Sequence, residues 1–226
     1  MRMRRFLRDN ALSIFFLVIF LAALGAQAMV GHHRYNQDQL SHHASTISLG
    51  RYLTSSEFGS EVMENWQSEY LQFTLYIMAT IWLFQRGSPE SKQRRSLGRE
   101  SEQKQWIGPH AKQRSPRWAK VGGLRTAIYS NSLLIVMALI FFGSWFAHSV
   151  TSWSSYNSDQ LLHGEQGVSW LQFVGTSEFW DQTLQNWQSE FLAIGSMAVF
   201  SVYLRQRGSP ESKPVGAPHD ATGAEG

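Results

Sequence analysis

Residues 10–92 of this 226-residue chain recur at 131–213 with a constant offset of 121 and no gap. The anchors are literal. Asn65-Trp66-Gln67-Ser68-Glu69 returns as Asn186-Trp187-Gln188-Ser189-Glu190, and Gln85-Arg86-Gly87-Ser88-Pro89-Glu90-Ser91-Lys92 returns as Gln206 through Lys213. Between them, Tyr35-Asn36-x-Asp38-Gln39-Leu40 matches Tyr156-Asn157-x-Asp159-Gln160-Leu161, and Ser56-Glu57-Phe58 matches Ser177-Glu178-Phe179. A duplication of this kind constrains the architecture, because each feature must be accommodated twice on the same geometry.

Mean hydropathy is slightly negative, but long polar segments dilute four apolar ones. Ala11–Val30 has no charged residue over 20 positions, enough to cross a hydrocarbon core of about 30 Å. Ile128–His148 repeats it, while Tyr70–Phe84 and Phe191–Leu204 are shorter. The basic start and Ala26-Gln27-Ala28 have the outline of a cleaved signal sequence. The second copy uses the same segment internally, so an uncleaved helix is expected. With no cysteine, disulfides and thiol chemistry are excluded.

Basic residues fix the expected topology. Of the 20 Lys and Arg, all but Arg34 and Arg51 lie at the N-terminus, between Arg86 and Arg125, or in the tail (Arg205, Arg207, Lys213). The other two connections carry Asp38, Glu57, Glu61, Glu64, Asp159, Glu165, Glu178 and Asp181. The positive-inside rule places both termini and the central linker in the cytoplasm. The shorter segments must then span, or the basic linker would be stranded outside.

The expected fold is therefore an all-α membrane protein. Its four transmembrane helices form two parallel two-helix repeats related by a pseudo-two-fold along the membrane normal. Repeat 1 occupies 1–92, with spans near 11–30 and 66–85 and an outer connection at 31–65. Residues 93–122 form a basic cytoplasmic linker, expected to be disordered from its Gln, Ser, Arg and Lys content. Repeat 2 occupies 123–213, with spans near 128–149 and 187–205 and an outer connection at 150–186. A disordered tail is expected at 214–226.

Within one repeat, Asn10 is the expected N-cap of the first helix, and Thr54-Ser55-Ser56-Glu57 has the form of a capping box for the second. Its counterpart puts Gly175 at the cap. Phe58, Val62, Trp66, Tyr70 and Phe73 form a helical apolar stripe, predicting one helix over 57–86. Gly87 is expected as its left-handed C′ residue, with Pro89 barring continuation and Ser88 able to cap a new turn. Nothing in this scheme requires Glu90-Ser91-Lys92 to be repeated.

The residues that invite a functional reading lie where the second helix of each repeat enters the membrane. They are Asn65, Trp66 and Glu69 with their copies Asn186, Trp187 and Glu190, joined from the outer connections by Tyr35, Asp38, Tyr156 and Asp159. Asn65 and Glu69 are i, i+4 neighbours, so a side-chain hydrogen bond is expected. One reading pairs Glu69 with Glu190 across the pseudo-two-fold to bind a cation or relay protons. The favoured one is structural: these groups clasp the outer helix ends, since an interfacial site is far from the midplane where transporters bind substrate.

Other chemistry is thinner. His32-His33 and His42-His43 are adjacent pairs with divergent directions and no Cys support, so no metal site and no cofactor are expected. The linker between 86 and 125 carries eleven basic residues against Glu90, Glu100 and Glu102. Contact with anionic lipid head groups is expected there; nucleic acid is not, because only Trp106 and Trp118 interleave. No nucleophile–base set or phosphate loop is present, so no enzyme is expected.

The doubled Tyr-Asn-x-x-Gln, Asn-Trp-Gln-Ser-Glu-(Tyr/Phe)-Leu and Gln-Arg-Gly-Ser-x-Glu-Ser-Lys motifs resemble an uncharacterised family of bacterial integral membrane proteins classed as a domain of unknown function. The resemblance covers 10–92 and 131–213. It implies a multi-pass protein of the bacterial plasma (inner) membrane, with no activity or catalytic residues to transfer. The expected role is structural or partner-binding in the cell envelope, in contact with the lipid bilayer. The alternative is a small transporter or channel on the duplicated helix pair, with a homo-oligomer able to enclose a pore. Against it, the midplane of the second helices offers only Thr74, Thr80, Gly195 and Ser196.

Overall fold

A computed structural model describes residues 2–224, and among them there is no β-strand. The helices are α1 (Arg2–Asp9), α2 (Ala11–Ser41), α3 (Leu49–Leu53), α4 (Ser56–Trp82), α5 (Arg117–Lys120), α6 (Gly123–Ser130), α7 (Ser132–Leu162), α8 (Trp170–Val174) and α9 (Ser177–Tyr203). The bounds of α1 to α4 recur in α6 to α9 at the sequence offset of 121. The structural repeat thus begins at Arg2, before the detectable sequence repeat. Residues 93–122 carry only single helical turns, at Arg94–Ser96, Gly108–His110 and α5.

α2 and α7 are long and apolar enough to cross a membrane. Each has 31 residues, about 46 Å at 1.5 Å per residue. They continue well into what the sequence suggests are outer connections. Residues 31–41 contain no proline and several i, i+4 polar pairs, including Asn36 Nδ2 with His32 Nε2 at 2.9 Å. The helix stops when His43 turns left-handed (φ 57) and the Ala44 N–H bonds back to the Gln39 carbonyl at 2.8 Å, a Schellman ending. The second copy reaches the same ending with Gly164 (φ 74) and Glu165 N–H to Gln160 O at 2.8 Å.

The ends of α4 and α9 differ from the expected ones. Ser55, not Thr54, receives the Phe58 N–H at 3.3 Å; Thr176, not Gly175, receives the Phe179 N–H at 3.4 Å. Thr54 instead closes α3 by donating to the Arg51 carbonyl at 3.1 Å. Asn10 turns its amide back onto the Phe6 carbonyl at 2.8 Å, closing α1 rather than capping α2. α4 stops at Trp82, four residues short of Arg86, because two later segments compete for its last groups. The Gly98 N–H takes the Ile81 carbonyl at 2.7 Å, and the Ser91 hydroxyl takes the Gln85 N–H at 3.0 Å.

The chain divides into two compact units, Met1–Val62 with Ala147–Gly175 and Met63–Phe146 with Thr176–Gly226. In the first, fully buried Tyr52 and Phe173 anchor the packing. In the second, Phe141, Trp145, Phe179 and Trp187 form an aromatic cluster with ring centroids 5.8–6.4 Å apart.

Candidate functional site

The first unit shows what the Tyr-Asn-x-Asp motif does. Asn36 accepts the Ile47 N–H at 2.8 Å and donates to the Ile47 carbonyl at 3.0 Å. Asn157 grips Val168 in the same way at 2.8 and 2.9 Å. An amide side chain is suited to this because it offers donor and acceptor side by side. Each clamp ties the segment before α3 or α8 to the helix that precedes it. Tyr35 packs on Tyr52 with centroids 5.8 Å apart, and Tyr156 on Phe173 at 5.3 Å. Asp38 and Asp159 engage the histidine one turn on: His42 Nδ1 lies 3.7 Å and His163 Nδ1 3.5 Å from the carboxylates. The two imidazoles then meet, with centroids 5.4 Å apart. Hydrogen bonding to the Asp159 carbonyl, then the Asp159 charge, makes His163 more basic than usual. The four outer residues of the expected cluster therefore find these partners within their own unit.

The same unit holds a polar network that the repeated motifs do not announce. Arg34 reaches Glu57 at 3.4 Å and pairs closely with Glu61. The buried Tyr52 hydroxyl donates to Glu61 at 3.2 Å, and the Ser155 hydroxyl donates to Glu57. Burial, followed by the Glu61 charge, pushes the Tyr52 phenol up to about 12. Gly31 makes room for this ring, since a Cβ there would stand 2.3 Å from the Tyr52 hydroxyl oxygen. At the corresponding positions the second copy has Ser152, Ser155, Phe173 and Gln182 in place of Gly31, Arg34, Tyr52 and Glu61. The charge, the phenol and the glycine are lost together.

In the second unit the Asn-Trp-Gln-Ser-Glu copies engage each other, but not through the glutamates. Trp187 Nε1 donates to Gln67 Oε1 at 2.6 Å. Asn186 donates to Glu64 Oε1 at 2.6 Å and to the Gln182 carbonyl at 2.9 Å. Both amide hydrogens are thereby used, so the expected i, i+4 bond from Asn186 to Glu190 does not form. The Glu190 backbone carbonyl accepts from Gln72 at 2.9 Å. Glu69 is exposed and close enough to Glu190 to feel its charge; Asn65 is exposed and Trp66 half-buried. Gln67 is fully buried, so the clasp runs from Trp187 and Asn186 to Gln67 and Glu64 of α4, while the buried Ser68 hydroxyl donates to the Asn65 carbonyl of its own helix at 2.9 Å.

The Arg-Gly-Ser-Pro-Glu-Ser-Lys loops close on themselves. The Ser88 N–H bonds to the Gln85 carbonyl and the Ser209 N–H to the Gln206 carbonyl, both at 3.2 Å. Gly87 and Gly208, each with φ 85, occupy the third turn position, which in a type II turn needs positive φ. Gly87 is thus a turn residue, not a helix C′, and Ser88 caps no helix. The repeated Glu-Ser-Lys also has a role. Ser91 and Ser212 accept from the Gln85 and Gln206 N–H groups at 3.0 and 2.9 Å. Lys92 donates to the Gly98 carbonyl at 3.1 Å. Lys213 donates to the carbonyls of Pro218, His219 and Ala221 at 3.1, 2.8 and 3.3 Å. Burial, then the Arg205 charge, lowers the basicity of Lys213. Glu90 receives the Tyr76 hydroxyl.

Among the described residues no three His, Asp or Glu side chains converge to hold a metal ion. The profile of a family described as a domain of unknown function, DUF6766, matches residues 3–224. No curated protein and no solved structure matches.

Proposed function

We propose a role for this chain, which belongs to the DUF6766 family of unknown function, from what its repeated residues hold: a non-enzymatic, multi-pass protein of the bacterial plasma membrane that is structural or partner-binding in the cell envelope. In this reading α4 and α9 span along with α2 and α7, giving four spans in two parallel repeats. Both termini and the linker lie in the cytoplasm, and the basic linker rests on anionic lipid head groups.

The observation that carries the reading is the use made of the duplicated polar residues. Asn36, Asn157, Gln67, Asn186, Trp187, Ser91 and Ser212 are committed to other parts of the same chain. The contacts of Asn36 and Ser91 are made again by Asn157 and Ser212 in the second copy, and the bond from Trp187 to Gln67 joins one copy to the other. The apolar helices support the membrane part: only 6% of the most apolar 18-residue stretch of α2 is buried, against 22% for α7, and so much exposed hydrocarbon suits lipid better than water.

A second reading, a small transporter or channel, draws on the interior of the second unit. Gln67 Nε2, Trp145 Nε1 and Thr183 Oγ1 are buried without a partner among the described residues, and buried polar atoms of this kind hold water or a solute. One experiment separates the two. Gln67→Leu and Trp187→Phe, which remove the bond between the two motif copies, are introduced together, and detergent stability and cation flux in vesicles are measured against the parent. A loss of stability with no parental flux to lose supports the clasp. A parental flux abolished at unchanged stability overturns it in favour of transport.

A further inference from the structure

The two Arg-Gly-Ser-Pro-Glu-Ser-Lys loops share one backbone but not one set of contacts. On the first loop lies the segment 219–223. Arg86 pairs with the Asp220 carboxylate at 3.0 Å, the Gly87 N–H donates to the Thr222 hydroxyl oxygen at 2.8 Å, and the Gly223 N–H donates to the Ser88 carbonyl at 3.0 Å. A Cβ on Gly87 would stand 2.1 Å from the His219 carbonyl oxygen.

The second loop has the same turn, with Gly208 at φ 85 and Ser209 bonded to Gln206. Around Gly208, however, a Cβ would meet nothing within 4 Å. Arg207 is exposed and has no ion pair among the described residues. A cavity of about 420 Å³ opens here, lined by Arg207, Gly208, Lys213, Pro214 and Val215.

We propose that this second loop is a peptide-binding site for an acidic segment of the form Asp-x-Thr/Ser-Gly. Arg207 takes the carboxylate in a charge-assisted hydrogen bond. The Gly208 N–H donates to the hydroxyl oxygen, and the Ser209 carbonyl accepts the following N–H. Pro214 and Val215 supply an apolar wall for a small side chain at x. The first loop is the worked precedent for each contact, on the same chain and the same backbone.

The occupant is a segment of another protein rather than a second copy's tail. Each chain carries two such loops but one tail, and that tail already holds the first loop. Binding within one chain benefits from an effective concentration in the millimolar range, which a tail from a second copy would have to forfeit. The proposal deepens the partner-binding reading and rests on it. Its test reads the loop in detergent, where failure of the membrane topology would leave the outcome unchanged.

The chain has no native cysteine, so Val215→Cys, at a position 63% exposed, places one thiol at the cavity of the full-length protein. Two peptides carrying a terminal Cys, each supplied as its mixed disulfide with 2-mercaptoethanol, are trapped on it by thiol–disulfide exchange with release of 2-mercaptoethanol: His-Asp-Ala-Thr-Gly, and the same sequence with Asn for Asp. The Asp peptide is expected to be trapped several-fold more. The advantage falls to unity when Arg207→Gln is added and persists when Arg86→Gln is added instead. Equal trapping of the two peptides overturns the proposal. So does an advantage that depends on Arg86, which would place the peptide on the first loop by exchange with the tail.

Discussion

The indole Nε1 of Trp187 donates to Gln67 Oε1 at 2.6 Å, so the second copy of the Asn-Trp-Gln-Ser-Glu motif holds the first copy of the same motif. Its reverse is not built in the same way: Gln188, the counterpart of Gln67, is exposed. One bond, from half-buried Trp187 to fully buried Gln67, therefore carries a contact that a symmetric repeat would make twice.

Replacing either partner should leave the other unpaired. Side-chain hydrogen bonds between membrane helices average about 0.6 kcal/mol, with about 1.7 kcal/mol the upper end. Gln67→Leu and Trp187→Phe are each expected to cost about 1 kcal/mol or more in detergent unfolding. The double variant should cost less than their sum, because the same bond is removed only once. Strict additivity in this cycle would mean the bond contributes nothing.

Gly31 and Tyr52 form a second coupled pair, for which the chain supplies its own control. Gly31→Ser should destabilise by about 2 kcal/mol, in the range of overpacking a filled site, because the new Cβ meets the phenol oxygen. Adding Tyr52→Phe should recover most of that loss, since Ser152 with Phe173 is the combination in the second copy. Melting temperatures of the four proteins of this cycle are the measurement.

The Tyr52 phenol also predicts a pH dependence. Its value is pushed from 10.0 up to about 12 in the folded chain, so between those values the unfolded chain releases a proton that the folded chain keeps. Stability contributed by Tyr52 is complete below pH 10 and lost as pH rises toward 12. Tyr52→Phe should flatten this part of the melting curve against pH; an unchanged alkaline slope would show that Tyr52 does not set it.

Asn36 and Asn157 should act as local latches. Asn36→Leu removes both bonds to Ile47, and Asn36→Asp keeps the acceptor only. Amide exchange at Ile47 is expected to rise by roughly tenfold in the Leu variant, the effect of about 1.4 kcal/mol of lost local protection. A smaller rise is expected for Asp. Exchange at Val168 should stay unchanged in both, and respond instead to Asn157→Leu.

The two turn glycines separate backbone strain from crowding. Gly208→Ala meets only the left-handed penalty of about 1 kcal/mol. Gly87→Ala meets the same penalty and also the His219 carbonyl. It should release segment 219–223, seen as faster proteolysis of the tail, which Gly208→Ala should not change.

Much of this is legible from the chain, and the exceptions have identifiable causes. The long helices and their shared offset follow from apolar runs and start signals. The ends of α4 differ by one to four residues because Gln85, Ile81 and Thr54 are claimed by Ser91, Gly98 and α3, contacts between segments that no local rule ranks, while α2 and α7 run on to Ser41 and Leu162 because the polar residues after the apolar runs are themselves compatible with a helix. The clasp falls on Gln67 rather than Glu69. Two positions apart on a helix are about 200° apart around its axis, and a polar motif alone does not say which of them faces inward. Arg34 and Tyr52 escape notice because attention to what the copies share hides what they do not. A comparison of the copies for lost charge picks out Arg34 against Ser155 and Glu61 against Gln182.

The four-span topology is tested most directly by single cysteines in the cysteine-free chain: Ser45→Cys and Glu165→Cys in the outer connections, and Ser101→Cys in the basic linker. Intact cells are treated with a membrane-impermeant maleimide, before and after permeabilisation. The first two cysteines should be labelled in intact cells, and the third only after permeabilisation. Labelling of the linker cysteine in intact cells would contradict it, because the linker could then not lie in the cytoplasm between spanning helices α4 and α7.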